Sequence, residues 1–212
     1  MEGGAATRME LMSKRGQIKL ASEGVSLLEG KREALLQELI TRAKALRELR
    51  NDLHRRGRRA VGSLAFARAM RSTPEVRSIG AAGRRDLALT VRTERVWGMY
   101  LGHIESANVV RAPRERGVGL LDTSAHVLEA ARSAEEMLEQ LVKCAPLERN
   151  IQMLGEEVKK TNRRINALNE YLLPKLREEV RGIRRVLEER EREDIFRLKK
   201  IKMKQAAKKK KK

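Results

Sequence analysis

Apolar residues recur along the last third of the chain at steps that alternate four and three: Leu147, Ile151, Leu154, Val158, Ile165, Leu168 and Leu172, with Thr161 the one polar member of the series. That spacing keeps a narrow stripe against a partner helix and drives a left-handed supercoil. From Leu168 the steps become four, four and four, through Leu172, Leu176 and Val180, before Ile183 and Leu187 restore the alternation; Pro174 lies inside this irregular patch. An inserted four-residue step unwinds a coiled coil locally, and proline removes one helical hydrogen bond and kinks the helix. The pattern predicts one long, bent helix from Leu147 to Ile201, its span on the order of 80 Å.

A second series occupies the first quarter. After a short polar leader, Met1 to Ala6, Thr7 is placed to cap a helix, and heptad counting gives Leu11, Ile18, Ala21, Val25, Leu28, Leu35, Leu39, Leu46, Leu49 and Leu53, interrupted by Lys14, Arg32, Arg42 and Arg56. A lone amphipathic helix of this length would leave its apolar stripe in water, so its natural partner is the C-terminal helix, packed antiparallel or nearly so. The helix continues through Phe66 to Met70 and ends before the breaker cluster Ser72-Thr73-Pro74.

Between Pro74 and Gly119 glycines appear at 80, 83, 98, 102, 117 and 119 and a proline at 113, so the middle is not coiled coil. Leu87, Leu89 and Val91 alternate with polar or small residues, and Val96 to Ile104 is a short apolar run carrying Trp97 and Tyr100. Two such runs predict a β-hairpin, with Arg111 to Gly119 a loop. A further helical segment starts around Asp122, Thr123 or Ser124, with Val127, Ala130, Ala134, Met137, Leu141 and Cys144 at heptad spacing, and Pro146 bends it or separates it from the final helix. The predicted fold is all-α: a long two-helix antiparallel coiled coil of the N- and C-terminal helices, with a central helical and β-hairpin region. The divisions are 1–71, 72–121, 122–204 and a disordered lysine tail at 205–212.

Composition agrees with a helical rod with thin aliphatic seams. Of 212 residues 36% are charged and 2% aromatic, and the net charge is +19; a globular core of this size would carry more aromatic anchors. The single Cys144 has no intrachain disulfide partner, which suits a reducing compartment. No run of about 18 apolar residues crosses a bilayer and no signal-peptide core opens the chain, which implies a protein that is soluble or held at a membrane by others. From Lys199 to Lys212 the chain holds nine lysines, and self-repulsion should leave the extreme end disordered.

The apparent chemical motifs fail on inspection. Gly24 to Arg32 looks like a phosphate-binding loop, but five residues separate its glycines, Arg32 stands where a magnesium-binding hydroxyl belongs, and no strand precedes it. Gly117-Val118-Gly119 leads to Asp122 where a dinucleotide fingerprint wants glycine. His54, His103 and His126 are not spaced as metal ligands, and Cys144 lies on an apolar stripe that favours a packed thiol. Adjacent pairs such as Glu156-Glu157 and Glu178-Glu179 diverge by about 100° on a helix and are solvated rather than an acid/base pair. The chain is expected to bind no cofactor or metal and to catalyse nothing alone.

The polar residues around the stripes carry a family likeness. Gly155 to Thr161, Arg163 to Leu168, Leu173-Pro174 and Leu187 to Lys199 resemble the D subunit of the A-type/V-type rotary ATPases; Thr7 to Met12, Arg15-Gly16-Gln17 and Lys31-Arg32 resemble the start of the same family, and Val96-Trp97-Gly98 a short mid-chain signature. The resemblance implies a non-catalytic central-stalk rotor shaft, coupling ATP hydrolysis or synthesis in the head to rotation of the membrane ring and to ion transport. Its termini would enter the hexamer of catalytic A and nucleotide-binding B subunits. The F subunit would bind beside the coiled coil, and a funnel-shaped subunit would join the base to the ring on the cytoplasmic face of a membrane. By this likeness Arg8, Met9, Leu11 and Met12, with Arg190, Arg192, Phe196, Arg197, Lys199 and Lys200, are candidates for contact with the head, and Val96, Trp97 and Gly98 for contact with the F subunit or modulation of turnover.

The basic surplus admits other readings. A charge of +19 attracts nucleic acid without sequence specificity, yet base-stacking aromatics are nearly absent. A generic basic coiled-coil scaffold would share the heptads without the polar signatures. The resemblance implies a shaft in an acidic or polar sleeve, with no nucleic acid.

Overall fold

A computed structural model describes residues 7–105, 108–117, 119 and 123–209, and of 205–209 the backbone only. Helix α1 spans Arg8–Met70 and α2 Thr73–Ala82; strands β1 (Val91–Val96) and β2 (Met99–Ile104) follow, then a 3-10 turn at Pro113–Arg116, helix α3 (Ala125–Asn166), a π-helical segment at Ala167–Leu172 and helix α4 (Leu173–Lys209). Two units divide these elements: Met1–Glu33 with Lys159–Lys212, and Ala34–Val158. Of the tail expected to be disordered at 205–212, residues 205–209 instead continue helix α4, and 210–212 lie outside the described residues.

In the first unit the helices pair antiparallel, as the two stripes predict. Arg8 meets Glu191, Lys14 meets Glu179 at 2.7 Å, and Arg32 donates to Asn162, so each step up α1 is matched by a step down its partner. Val25, Ile165 and Leu173 form the buried centre, flanked by Ile18, Ala21, Leu28 and Leu168.

The irregular patch resolves in a way the heptad count did not foresee. The Leu173 N–H donates to the Leu168 carbonyl, five residues back, which is a π turn. The buried stripe therefore passes from Leu168 to Leu173 instead of stopping at Leu172, then continues through Leu176, Val180, Ile183 and Leu187 at steps of three, four, three and four. One wide turn absorbs the surplus residue that would have unwound the seam. It also accommodates Pro174, whose ring would press on the carbonyl four residues back in a regular α-helix.

In the second unit the pairing runs from Leu39 beside Gly155, through Arg50 with Glu148 and Arg59 with Glu129, to Phe66, which meets the His126 ring edge-on at 4.8 Å. Helix α3 continues through Pro146 without a break, so this proline does not separate two helices. Cys144 is buried, and burial, with Glu148 nearby, pushes its thiol up. Helix α2 was not foreseen. Ser72-Thr73-Pro74 ends α1 as expected but also opens a new helix, Ser72 standing in extended conformation as its cap and Pro74 lying in its first turn; Val76 and Ile79 pack it against Ala67, Val127 and Ala130.

The hairpin is real but shifted. Val91 pairs with Ile104 and Val96 with Met99, so β1 begins where the first predicted strand was to end, and Trp97-Gly98 is the turn instead of strand. Both turn residues have positive φ, 50° at Trp97 and 82° at Gly98, the left-handed pair of a type I′ turn, which matches the twist of the flanking strands. Leu101, 2% exposed, inserts between Leu35 and Leu154, with Val96, Met99, Leu39 and Val158 around them.

One side chain fixes this hairpin to α3. The Gly102 N–H donates to Asn150 Oδ1 at 2.9 Å, and Asn150 Nδ2 donates back to the Gly102 carbonyl at 2.8 Å. The outer edge of β2 is thus satisfied at that position by a buried carboxamide. Asn150→Leu should leave both backbone groups unpaired, destabilise the unit by about 2 kcal/mol and speed hydrogen exchange of the β1 and β2 amides selectively. Unchanged exchange in the variant would show the hairpin to be held by Leu101 alone.

Candidate functional site

The candidate partner-contact residues fall into two groups. Arg8, Met9, Leu11 and Met12, and Arg190 to Lys200, belong to the first unit, while Val96, Trp97 and Gly98 belong to the second.

In the first group, Thr7 starts α1 as anticipated, its Oγ1 accepting the Glu10 N–H at 3.2 Å. Arg8 then donates to Glu191 Oε1 at 2.6 Å, both side chains largely exposed, and Leu11 is half-buried. Met9 and Met12 are exposed at 79% and 70%. Arg8, Leu11 and Met12 share a hollow with Leu187, Glu188 and Glu191, which flank Arg190; the C-terminal candidates themselves do not line it. Just inside, Glu179 accepts from Lys14, and that hydrogen bond holds its carboxyl below the usual range.

Every described side chain of α4 beyond Glu191, through Lys204, is exposed. Arg192, Phe196 and Arg197 line a surface hollow with Glu188, Glu189 and Glu193, and Arg197 lies 3.6 Å from Glu193 and 3.9 Å from Asp194. Lys199 and Lys200 follow on the same exposed stretch. Ile195, Phe196, Leu198, Ile201 and Met203 are all between 52% and 74% exposed. At 100° per residue these five point to widely separated directions around the axis, unlike the stripe that covers a single neighbour. Sequence reasoning missed the exposed Ile195, Leu198, Ile201 and Met203. Their loss of heptad order was the available signal.

In the second group the three neighbours separate. Val96 turns inward to the Leu35–Leu154 cluster, whereas Trp97 stands 54% exposed at the turn beside Gly98. A tryptophan held at positive φ is a strained choice.

A polar cluster not foreseen from the sequence ties the loop before α3 to that helix. Glu135 accepts from Arg111 Nε at 2.9 Å, from the Arg111 N–H at 3.1 Å and from Arg116 at 3.0 Å; Arg116 also donates to the Leu128 and Arg111 carbonyls, and Arg111 to the Gly83 carbonyl. Burial raises the Glu135 pKa, but the Arg116 hydrogen bond and those from Arg111 outweigh it, so the carboxyl sits below its ordinary value. Among the described residues, no helix is long and apolar enough to cross a membrane.

Residues 10–203 match the family model that describes the D subunit of ATP synthase. The chain is similar to the A-type ATP synthase D subunit of Haloarcula marismortui, 38% identical over 93% of this chain and 86% of the relative. It is also similar to the V-type ATP synthase D subunit of Thermus thermophilus, 38% identical over 92% and 86%. A third similarity is to the A-type ATP synthase D subunit of Pyrococcus furiosus, 34% identical over 92% of each.

Proposed function

The chain belongs to the family of ATP synthase D subunits, and from that premise we propose that it is the central shaft of an A-type or V-type rotary ATPase, coupling nucleotide turnover in the catalytic head to rotation of a membrane ring and to ion transport. It performs no catalysis itself. Its partners in this reading are the A and B subunits around its ends, the F subunit beside the coiled coil, and a funnel-shaped subunit between its base and the ring, so that it lies at the cytoplasmic face of the membrane, held there by the complex. Residues 1–71 and 122–204 supply the paired helices, 72–121 the membrane-directed middle, and 205–212 a tail.

The observation that carries this reading is the end of α4. Beyond the Arg8–Glu191 pair, exposed Ile195, Phe196, Leu198, Ile201 and Met203 face several directions at once among Arg197, Lys199 and Lys200. A helix apolar on several sides is one that other protein surrounds, and its basic residues favour a lining that is acidic or polar. An asymmetric shaft in a threefold head contacts each catalytic interface differently. Turning it shifts which interface is open, and occupancy of the interfaces biases the angle of the shaft in return.

Truncation after Arg190 in a reconstituted complex tests this. The shortened chain is expected to remain with the other subunits through its paired helices while coupling of hydrolysis to ion movement is lost. Undiminished coupling would remove the terminal residues from the contact.

A further inference from the structure

Where α1, α2 and α3 meet, Val61, Leu64, Val76, Ile79, Val127 and Ala131 line an apolar cavity of about 330 Å³, which Arg111 and Arg116 also line. That volume lies at the lower end of the range for binding cavities. Two adjoining hollows share Gly83 and Arg111 with it and add Arg77, Arg84 and Arg85; among the described residues the acids are Glu135 in one of these hollows and Glu115 in the other. Among the described residues arginines outnumber carboxylates by five to two here.

The imbalance reaches the buried part. Arg111 and Arg116 share the single carboxylate of Glu135, and Arg116 is 4% exposed. Its Nε has no hydrogen-bond partner among the described residues. A surplus guanidinium charge and an unpaired donor out of water are both unfavourable, and a carboxylate brought alongside would relieve both. The chain's choice of cation points the same way: between Lys44 and Lys143 every lysine-or-arginine position is arginine, whose planar fork matches a carboxylate bidentately.

We propose that this cavity is a docking socket for an amphipathic segment of a neighbouring subunit, one that sets apolar side chains against Val61, Ile79 and Val127 and a carboxylate against Arg111 and Arg116. The proposal rests on the reading of the chain as part of a multisubunit assembly, and it adds the face that engages and the chemistry of what it engages. Val61, 67% exposed at the rim, is where the arriving segment is met first.

A photocrosslinking amino acid at position 61, in the assembly purified from cells, provides the test. The expected product joins this chain to a peptide of another subunit in which Asp or Glu stands among apolar residues. Crosslinks confined to this chain, no crosslink, or a partner peptide lacking an acid would overturn the socket. The pair Val61→Glu and Val61→Lys supplies a second readout on a side chain whose exposure spares the fold. Both variants lose the apolar contact at Val61, but against an acidic segment only the glutamate adds like-charge repulsion, so it should weaken association by at least about tenfold more than the lysine; equal losses, or none, would again overturn it. If the A and B subunits co-purify but position 61 fails to crosslink, the socket alone is wrong, whereas if no ATPase subunit co-purifies the shaft reading falls with it.

Discussion

Replacing Glu135 with glutamine is expected to destabilise the unit containing α2 and the hairpin by about 3–5 kcal/mol, the penalty for removing one partner of a buried ionic cluster. The carboxylate accepts from two arginines at once, and its side chain is 11% exposed, so solvent offers little screening to the charges left behind. Urea denaturation followed by circular dichroism measures the change. An unaltered midpoint would mean that Arg111 and Arg116 find other acceptors. The pH dependence has a definite sign. Glu135 titrates lower in the folded chain than an ordinary glutamate, so its contribution is present above the unfolded value of about 4.3 and is lost as the pH falls from there through the folded value. The gap between wild type and Glu135→Gln should close over that interval, because protonation does to the wild type what the substitution does at neutral pH.

Deleting Asn169, an exposed residue of the π-helical segment, should convert that turn to regular α-helix and place Leu168 and Leu173 four residues apart, a spacing that suits the seam. Its obstacle is Pro174, which would then sit in an ordinary helical turn with its ring against a carbonyl, at about 3 kcal/mol. The deletion alone is therefore expected to destabilise the coiled coil by roughly that amount. The deletion combined with Pro174→Ala should recover it, while Pro174→Ala in the undeleted chain should change stability by less than about 1 kcal/mol. Thermal unfolding of the four variants forms a double-mutant cycle. Additive effects would show that the wide turn has nothing to do with accommodating the proline.

These two sites mark where the sequence was readable and where it was not. The heptads placed Ile18, Ala21, Val25, Leu28, Leu35 and Leu39 on one stripe and Leu154, Val158, Ile165 and Leu168 on the other, and these residues pack together in the two units, because a repeating apolar step is a local property of the chain; which residue meets which was not in the count. The shift of the stripe to Leu173 depended on a hydrogen-bond pattern that a step count does not contain. Helix α2 escaped notice because a proline and a glycine within ten residues, with a second glycine directly after them, speak against a helix; what holds it is Val76 and Ile79 packed on α1 and α3. The hairpin register was misplaced because Trp97 takes a backbone conformation usually left to glycine, asparagine or aspartate. Glu135 lies 19 and 24 residues from its arginines, a separation at which charged residues read as solvated surface. The candidate contact residues at the chain ends owed their selection to family likeness, and the exposed apolar end of α4 is an independent reason to look there.

The carboxamide of Asn150 grips the donor and the acceptor of one glycine, and so works like a pawl in a toothed wheel. With β2 indexed in this way to α3, an extra residue inserted at the Trp97–Gly98 tip cannot be taken up by sliding β2, since a slip of one residue would turn Leu101 away from Leu35 and Leu154. The slack must run out through the start of β1, towards Val91, leaving Leu101 seated. Length variation at the tip is thereby decoupled from the anchorage beneath it.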